Sequence, residues 1–82
     1  MRVVAEIPHP DLKITVFSWN QKYLVKMEKG PFEQTYKIGE MDVTGEDELR
    51  KMLDEPFIEQ VLIQFREMST IWRSARERAE GF

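Results

Sequence analysis

The chain has 82 residues and a net charge of −3, and 41% of its residues are hydrophobic while 33% are charged. This balance excludes a disordered chain, and the length predicts a single domain over residues 1–82. Cysteine is absent and no apolar run exceeds three residues. We therefore expect no disulfide, thiolate metal site, transmembrane helix or signal peptide, and we predict a cytoplasmic location.

The first forty residues predict four antiparallel strands. A short β-branched segment, residues 3–7, ends at Pro8, which has no N–H to donate to a neighbouring strand. From Leu12 onward, apolar and polar residues alternate with the period of a strand, and the turn candidates at residues 20–21 and 30–31 divide this region into three runs. We therefore predict a meander of three strands, which the first segment joins as a fourth.

The alternation assigns two faces to this sheet. The face expected to pack against helices consists of Leu12, Ile14, Val16, Tyr23, Val25, Met27, Tyr36 and Ile38. The opposite face combines aromatic, apolar and basic residues, which are Phe17, Trp19, Leu24, Lys13, Lys22, Lys26, Lys37, Thr15 and Thr35. Three interpretations of this second face stay open: a covered core or dimer contact, a protein-binding surface, or a platform for single-stranded nucleic acid. The negative net charge of the chain disfavours the third interpretation, the binding of nucleic acid.

Two helices are predicted between about residues 45 and 80. Thr44 is expected to cap a short helix with an acidic first turn, and Asp54 is expected to cap a longer helix that has Pro56 in its first turn. At ~1.5 Å per residue the longer helix spans roughly 35–40 Å, whereas a compact chain of this size has a diameter of roughly 30 Å. We therefore expect residues 69–82 to project beyond the body.

The long helix carries apolar residues at three-four spacing on one stripe, which are Ile58, Val61, Phe65, Met68, Trp72, Ala75 and Ala79. The stripe is wide in its first half, which suits packing on a sheet, and narrow in its second half, which suits another helix. The predicted partner seam, most simply a homodimer contact, consists of Met68, Ile71, Trp72 and Ala75. Three flanking arginines, Arg73, Arg76 and Arg78, are expected to be solvated or to contact an acidic patch, such as residues 46–55 of another subunit.

The sequence contains no catalytic constellation. The single histidine, His9, lies between two prolines, so we expect it to be solvated or to cap a turn rather than to serve in a triad. The acidic residues at 46–48 are adjacent and therefore fan around their helix, so they do not converge on a metal ion. The four glycines are scattered and form no phosphate-binding loop. We predict a non-enzymatic protein without cofactor, metal or catalytic residue.

Two stretches of the chain resemble those of short bacterial single-domain proteins that have no assigned activity. They are EIPHPDLKITVFSWNQKYLVKMEKGPFEQTYKI and LDEPFIEQVLIQFREM, which together lie within residues 6–68. The resemblance implies a self-contained fold and carries no activity. In outline, strands followed by a helix with an aromatic-basic sheet face are also similar to the Whirly-type single-strand binders.

The sequence therefore predicts an α+β fold, in which an antiparallel sheet of about four strands is covered on one face by a short helix and a long C-terminal helix. The predicted function is a protein-interaction or homo-oligomerising module. The alternative is single-stranded nucleic-acid binding through the aromatic-basic face.

Overall fold

Four strands form one antiparallel sheet in the computed structural model, which describes residues 1–81 of the chain. Phe82, the last residue of the predicted projecting segment, lies outside the described residues. The order of strands in the sheet is the order in the chain, so the predicted meander with a fourth strand is confirmed. The strands are β1 (Arg2–Ile7), β2 (Lys13–Trp19), β3 (Lys22–Lys29) and β4 (Phe32–Gly39).

The turn between β2 and β3 consists of two residues in the left-handed conformation. Asn20 has φ of 53° and Gln21 has φ of 63°. A two-residue turn with positive φ at both positions matches the twist of the flanking strands, and it normally has glycine at its second position. The predicted hairpin therefore forms here with a glutamine in the place that glycine prefers.

A bulge in β1 changes which face its side chains occupy. Val3 pairs with Phe17 of β2, whereas Ala5 pairs with Val16 and Ile7 with Ile14, because the register shifts between residues 3 and 5. An extra residue in one strand reverses the alternation of side chains. Val3 therefore lies on the opposite face of the sheet from Ala5 and Ile7.

Two helices follow a short 3₁₀ turn at Glu40–Asp42, namely α1 (Glu46–Met52) and α2 (Glu55–Ala79). The predicted N-cap of α2 is confirmed, because the Asp54 carboxylate accepts a hydrogen bond from the Phe57 N–H at 3.0 Å. The predicted N-cap of α1 was wrong. Gly45 occupies that position with φ of 144°, a conformation that suits glycine, and Thr44 lies one residue before it.

Thr44 instead makes two bonds to the side chain of Glu48. Its N–H and its hydroxyl both donate to the Glu48 carboxylate. Bonds to a carboxylate favour the charged form, so the hydroxyl first and the N–H second lower the pKa of Glu48. Thr44 and Glu48 thus join the loop to the first turn of α1 in an arrangement related to a capping box.

Both helices pack on one face of the sheet. The buried core lies between them and the sheet, and it consists of Leu12, Ile14, Val16, Val25, Met27, Leu49, Ile58, Val61 and Phe65. The predicted α+β fold with helices on one face is therefore confirmed. Within residues 1–81, no helix combines the length and the apolar character that crossing a bilayer requires.

The second half of α2 extends away from this core. The described chain measures 51 × 26 × 19 Å and its radius of gyration is 15.2 Å, compared with about 12 Å for a compact chain of this length. Met68 is the last residue of α2 that packs against the core, among the residues the structure describes. The following turns of α2, from Ser69 to Ala79, therefore lie outside the packed body.

Candidate interaction surfaces

The first candidate surface is the apolar side of α2 beyond the sheet, which we call the tail seam and define as Met68, Ile71, Trp72 and Ala75. Met68 is half-buried against the core, and Ala75 is half-buried. Ile71 and Trp72 retain 64% and 55% of their full exposure. Trp72 follows Phe65 and Met68 at the spacing that keeps them on one stripe, so the stripe that seals the core continues into solvent at Trp72.

The second candidate surface lies on the face of the sheet opposite both helices. Cross-strand pairing aligns Phe17 with Leu24, Leu24 with Lys37, and Trp19 with Lys22. Trp19 is 53% exposed, and the two lysines are also exposed. We call this group, together with Val3, the open patch; its members are Val3, Phe17, Trp19, Lys22, Leu24 and Lys37.

The predicted four-lysine platform divides into two parts. Lys26 lies 3.8 Å from a Glu33 carboxylate oxygen and 4.0 Å from one of Glu28, so acidic side chains surround it. Lys13 is paired across the sheet with Glu28. Within residues 1–81, Lys22 and Lys37 make no salt bridge. The structure therefore groups Phe17 and Trp19 with Lys22 and Lys37, and it places Lys13 and Lys26 in a mixed-charge region.

Leu24 is buried although no described helix covers its face. Only 6% of its surface is accessible, and its neighbours on β2 and β4 are Phe17 and Lys37. A long side chain such as that of Lys37 can cover an apolar neighbour with its methylene groups while its charged group stays in water.

Val3 was missed as a member of the open patch. Strict alternation from Ile7 would place Val3 on the helix face of the sheet, and only the bulge in β1 moves it to the opposite face.

The concave regions between the sheet and the helices include a groove and a smaller cavity. A groove of about 610 Å³ separates the β1–β2 loop from the start of α2, and His9, Asp11, Asp54, Glu55 and Glu59 line it together with apolar side chains. His9 Nδ1 accepts the Asp11 N–H at 3.1 Å, which is the turn-capping role expected of it, and Asp54 caps α2. A smaller apolar cavity of about 220 Å³ lies between β4 and both helices.

The groove brings titratable groups near one another without assembling a metal site. No set of three or more His, Asp or Glu side chains converges as metal ligands anywhere in residues 1–81. Two of the polar groups in the groove already make structural hydrogen bonds. The smaller cavity is lined by six apolar residues together with Lys37 and with Tyr36, whose hydroxyl donates to Gln34. The features that distinguish this protein are therefore its two partly apolar surfaces.

Comparison of the chain with protein families, with curated proteins and with solved structures found no match.

Proposed function

We propose that this protein is a non-catalytic interaction module that forms a homodimer through the tail seam. The observation that supports this proposal is the continuation of the core stripe of α2 into solvent at Trp72, beside which Ile71 is also exposed. A buried tryptophan removes about 150–250 Å² from water, so covering Trp72 in particular would stabilise an association. We also propose that the protein is cytoplasmic, because a chain without cysteine suits a reducing compartment.

The physical reason for a helix partner is the narrowness of the seam. Arginines flank Trp72 and Ala75 on α2, so the apolar strip is about one side chain wide beyond Met68. A strip of this width fits against another helix better than against a sheet. The small side chain of Ala75 allows a partner helix to approach closely.

The mass of the chain in solution at tens of micromolar tests this proposal. The full chain is expected to have the mass of a dimer by light scattering, and Trp72→Arg or truncation after Met68 is expected to give monomers. Ile63→Arg is the matched control, because Ile63 is 41% exposed on α2 and lies nine residues from Trp72, on the opposite side of the helix. A monomeric full chain at this concentration would overturn the proposal, as would loss of the dimer in the control.

The open patch supports a second candidate function, the binding of single-stranded nucleic acid. Trp19 and Phe17 offer rings on which bases can stack. Lys22 lies opposite Trp19, and Lys37 lies across Leu24 from Phe17, so both lysines can contact phosphates of a bound strand. Two lysine contacts predict that log K falls with log salt with a slope of about −1.4. Phe17 and Trp19 are two residues apart on β2, which is about 7 Å at ~3.3 Å per strand residue. Because acidic side chains lie beside Lys26, this candidate site is short.

Binding of a labelled single-stranded oligonucleotide at low salt tests this second candidate. Trp19→Ala is expected to weaken binding about 5- to 160-fold, which corresponds to about 1–3 kcal/mol for one stacked base. Trp72→Ala removes the other tryptophan and is expected to leave binding unchanged. Absence of binding at low salt, or equal loss in both variants, would exclude the open patch as a nucleic-acid site.

A further inference from the structure

The groove between the β1–β2 loop and the start of α2, which we call the acidic groove, is lined by apolar and acidic side chains. Its apolar lining includes Ile7, Ile14 and Ile58. Its acidic lining residues are Asp11, Asp54, Glu55 and Glu59. Within residues 1–81, no lysine or arginine lines it. Its volume of about 610 Å³ lies in the ~300–1,000 Å³ range of sites that enclose ligands. The acidic groove therefore suits an apolar group that is flanked by positive charge.

Trp72 is an apolar side chain with this charge pattern around it. It is 55% exposed, and the charged residues within four positions of it in either direction are Arg73 and Arg76. Glu77 and Glu80 lie further along the chain, about 8 and 12 Å from Trp72 at ~1.5 Å per residue. The indole of Trp72 is thus accompanied by two positive charges and by no negative charge in the adjacent turns of α2.

A chain cannot place Trp72 in its own acidic groove. Leu62 is the groove residue closest to Trp72 in the sequence, and ten residues of continuous helix separate the two by about 15 Å. Trp72 lies within about 40° of the buried residues of α2, so it is on the side of the helix that faces the sheet, although the tail extends beyond the packed body. A second copy, however, can bring its acidic groove to this position.

We propose that the acidic groove of one copy receives Trp72 of a second copy, and that the two copies exchange this contact reciprocally. The inference rests on the proposed homodimer and identifies the surface that covers the tail seam. One wall of the groove is α2 itself, so the narrow seam meets a helix of the receiving copy. Charge complementarity between the four acidic lining residues and the two arginines beside Trp72 favours this occupant.

The sides of the tail match the two walls of the acidic groove. At ~100° per residue, Arg76 and Arg73 lie about 40° and 100° from Trp72 in one direction around the helix. Ile71 lies about 100° from Trp72 in the other direction. When Trp72 points at the sheet and the tail runs opposite to α2 of the receiving copy, the arginines face the two glutamates on the α2 wall. Ile71 then faces the β1–β2 loop. The reverse direction would instead set Ile71 against the glutamates.

This arrangement closes a symmetric pair. A two-fold axis between the two helices places both Trp72 side chains in the acidic grooves at once, because each copy contributes one tail and one groove. Closed contacts of this kind give an assembly of fixed size, whereas contacts that do not close give chains of copies. The expected assembly is therefore a dimer that does not grow with concentration.

Exchange of charge between groove and tail tests this inference. One variant of the full chain carries Glu55→Lys and Glu59→Lys, and the other carries Arg73→Glu and Arg76→Glu. Each variant alone sets like charges against each other in both contacts, so each is expected to be monomeric at a concentration at which the native chain is a dimer. An equimolar mixture pairs a basic groove with an acidic tail and an acidic groove with a basic tail. The mixture is therefore expected to recover dimer mass by light scattering.

Glu6→Lys combined with Glu67→Lys is the matched control. It changes the net charge by the same amount at exposed residues that do not line the acidic groove, and it is expected to keep the dimer mass. A second measurement uses Trp19→Phe, in which Trp72 is the only tryptophan. As this variant dimerises, Trp72 emission is expected to shift to shorter wavelength and acrylamide quenching is expected to fall.

Dimer mass in either charge variant alone would overturn the acidic groove as the receptor of Trp72 while leaving the homodimer in place. A mixture that stays monomeric, or loss of the dimer in the control, would overturn it as well. Trp72 emission that stays unchanged while Trp19→Phe dimerises would do so without any change of charge. A monomeric native chain would instead refute the proposed homodimer itself.

Discussion

The side-chain amide of Gln34 donates a hydrogen bond to the main-chain carbonyl oxygen of Val61 at 3.0 Å, which joins β4 to the middle of α2. The Tyr36 hydroxyl donates in turn to Gln34 Oε1 at 2.6 Å. The Tyr36 ring also meets the Phe57 ring edge-on, with centroids 5.2 Å apart and an angle of 72° between their planes. Although β4 is an edge strand, polar and aromatic contacts therefore hold it to α2.

Replacing Gln34 by alanine is expected to lower the free energy of unfolding by about 1 kcal/mol, the net contribution of one partly buried hydrogen bond. Urea denaturation measures this change. Thr35→Ala is the matched control, because Thr35 is exposed on the opposite face of the same strand, and its effect is expected to be under about 0.5 kcal/mol. Equal stability of Gln34→Ala and the native chain would show that the bond contributes nothing.

Replacing Gln21 by glycine is expected to stabilise the protein by about 0.5 kcal/mol. A side chain in the left-handed conformation costs about 1–2 kcal/mol, and the greater freedom of glycine in the unfolded chain offsets about 0.5–1 kcal/mol of that gain. Thermal unfolding followed by circular dichroism measures the change. Gln60→Gly, in an exposed interior position of α2, is the contrasting control and is expected to destabilise by about 1 kcal/mol. Destabilisation by both glycines would contradict the turn geometry.

Phe65→Ala is expected to lower the free energy of unfolding by about 3–5 kcal/mol, since Phe65 is buried in the core beneath α2. Ile63→Ala, two residues earlier on the exposed side of the same helix, is expected to change it by under about 0.5 kcal/mol. Urea denaturation of both variants at one protein concentration compares them directly. Similar losses in the two variants would mean that α2 packs on the sheet through a different face.

The bonds from Thr44 to Glu48 predict a small pH dependence of stability. Because they lower the pKa of Glu48 in the folded protein, the charged carboxylate stabilises the fold at pH values above its ordinary pKa of about 4.3. This contribution is lost as the pH falls through the lowered value. Thr44→Val removes the hydroxyl donor, the larger cause of the shift, so its stability is expected to approach that of the native chain at low pH. A difference that grows as the pH falls would contradict this assignment.

The sequence alone was sufficient for most of the fold. Alternation in β2 and β3 identifies the buried side of Val16, Val25 and Met27, because those strands are regular and one face excludes water. The N-cap of α2 was also predictable, because the Asp54 carboxylate accepts a hydrogen bond from an N–H only three residues further along the chain, that of Phe57. A cap hydrogen bond and the alternation of apolar residues in a strand both depend on residues that are close together in the chain, so the sequence alone reveals them.

Side-chain exposure on the open patch required the structure. Phe17, Trp19 and Leu24 share a face by their spacing, yet Leu24 is buried and Trp19 is exposed. Leu24 lies in a central strand between residues of β2 and β4, whereas Trp19 ends its strand and has neighbours on fewer sides. Cross-strand register decides this difference, and register depends on residues far apart in the chain.

The two halves of α2 show the same division. From its spacing the sequence determined one continuous apolar stripe along the helix. Only the tertiary structure decided where the sheet ends beneath that stripe, so that Phe65 is buried while Trp72 is left in solvent. The reason is that burial of a helical residue depends on the extent of the surface it packs against, and strand lengths and turns elsewhere in the chain set that extent.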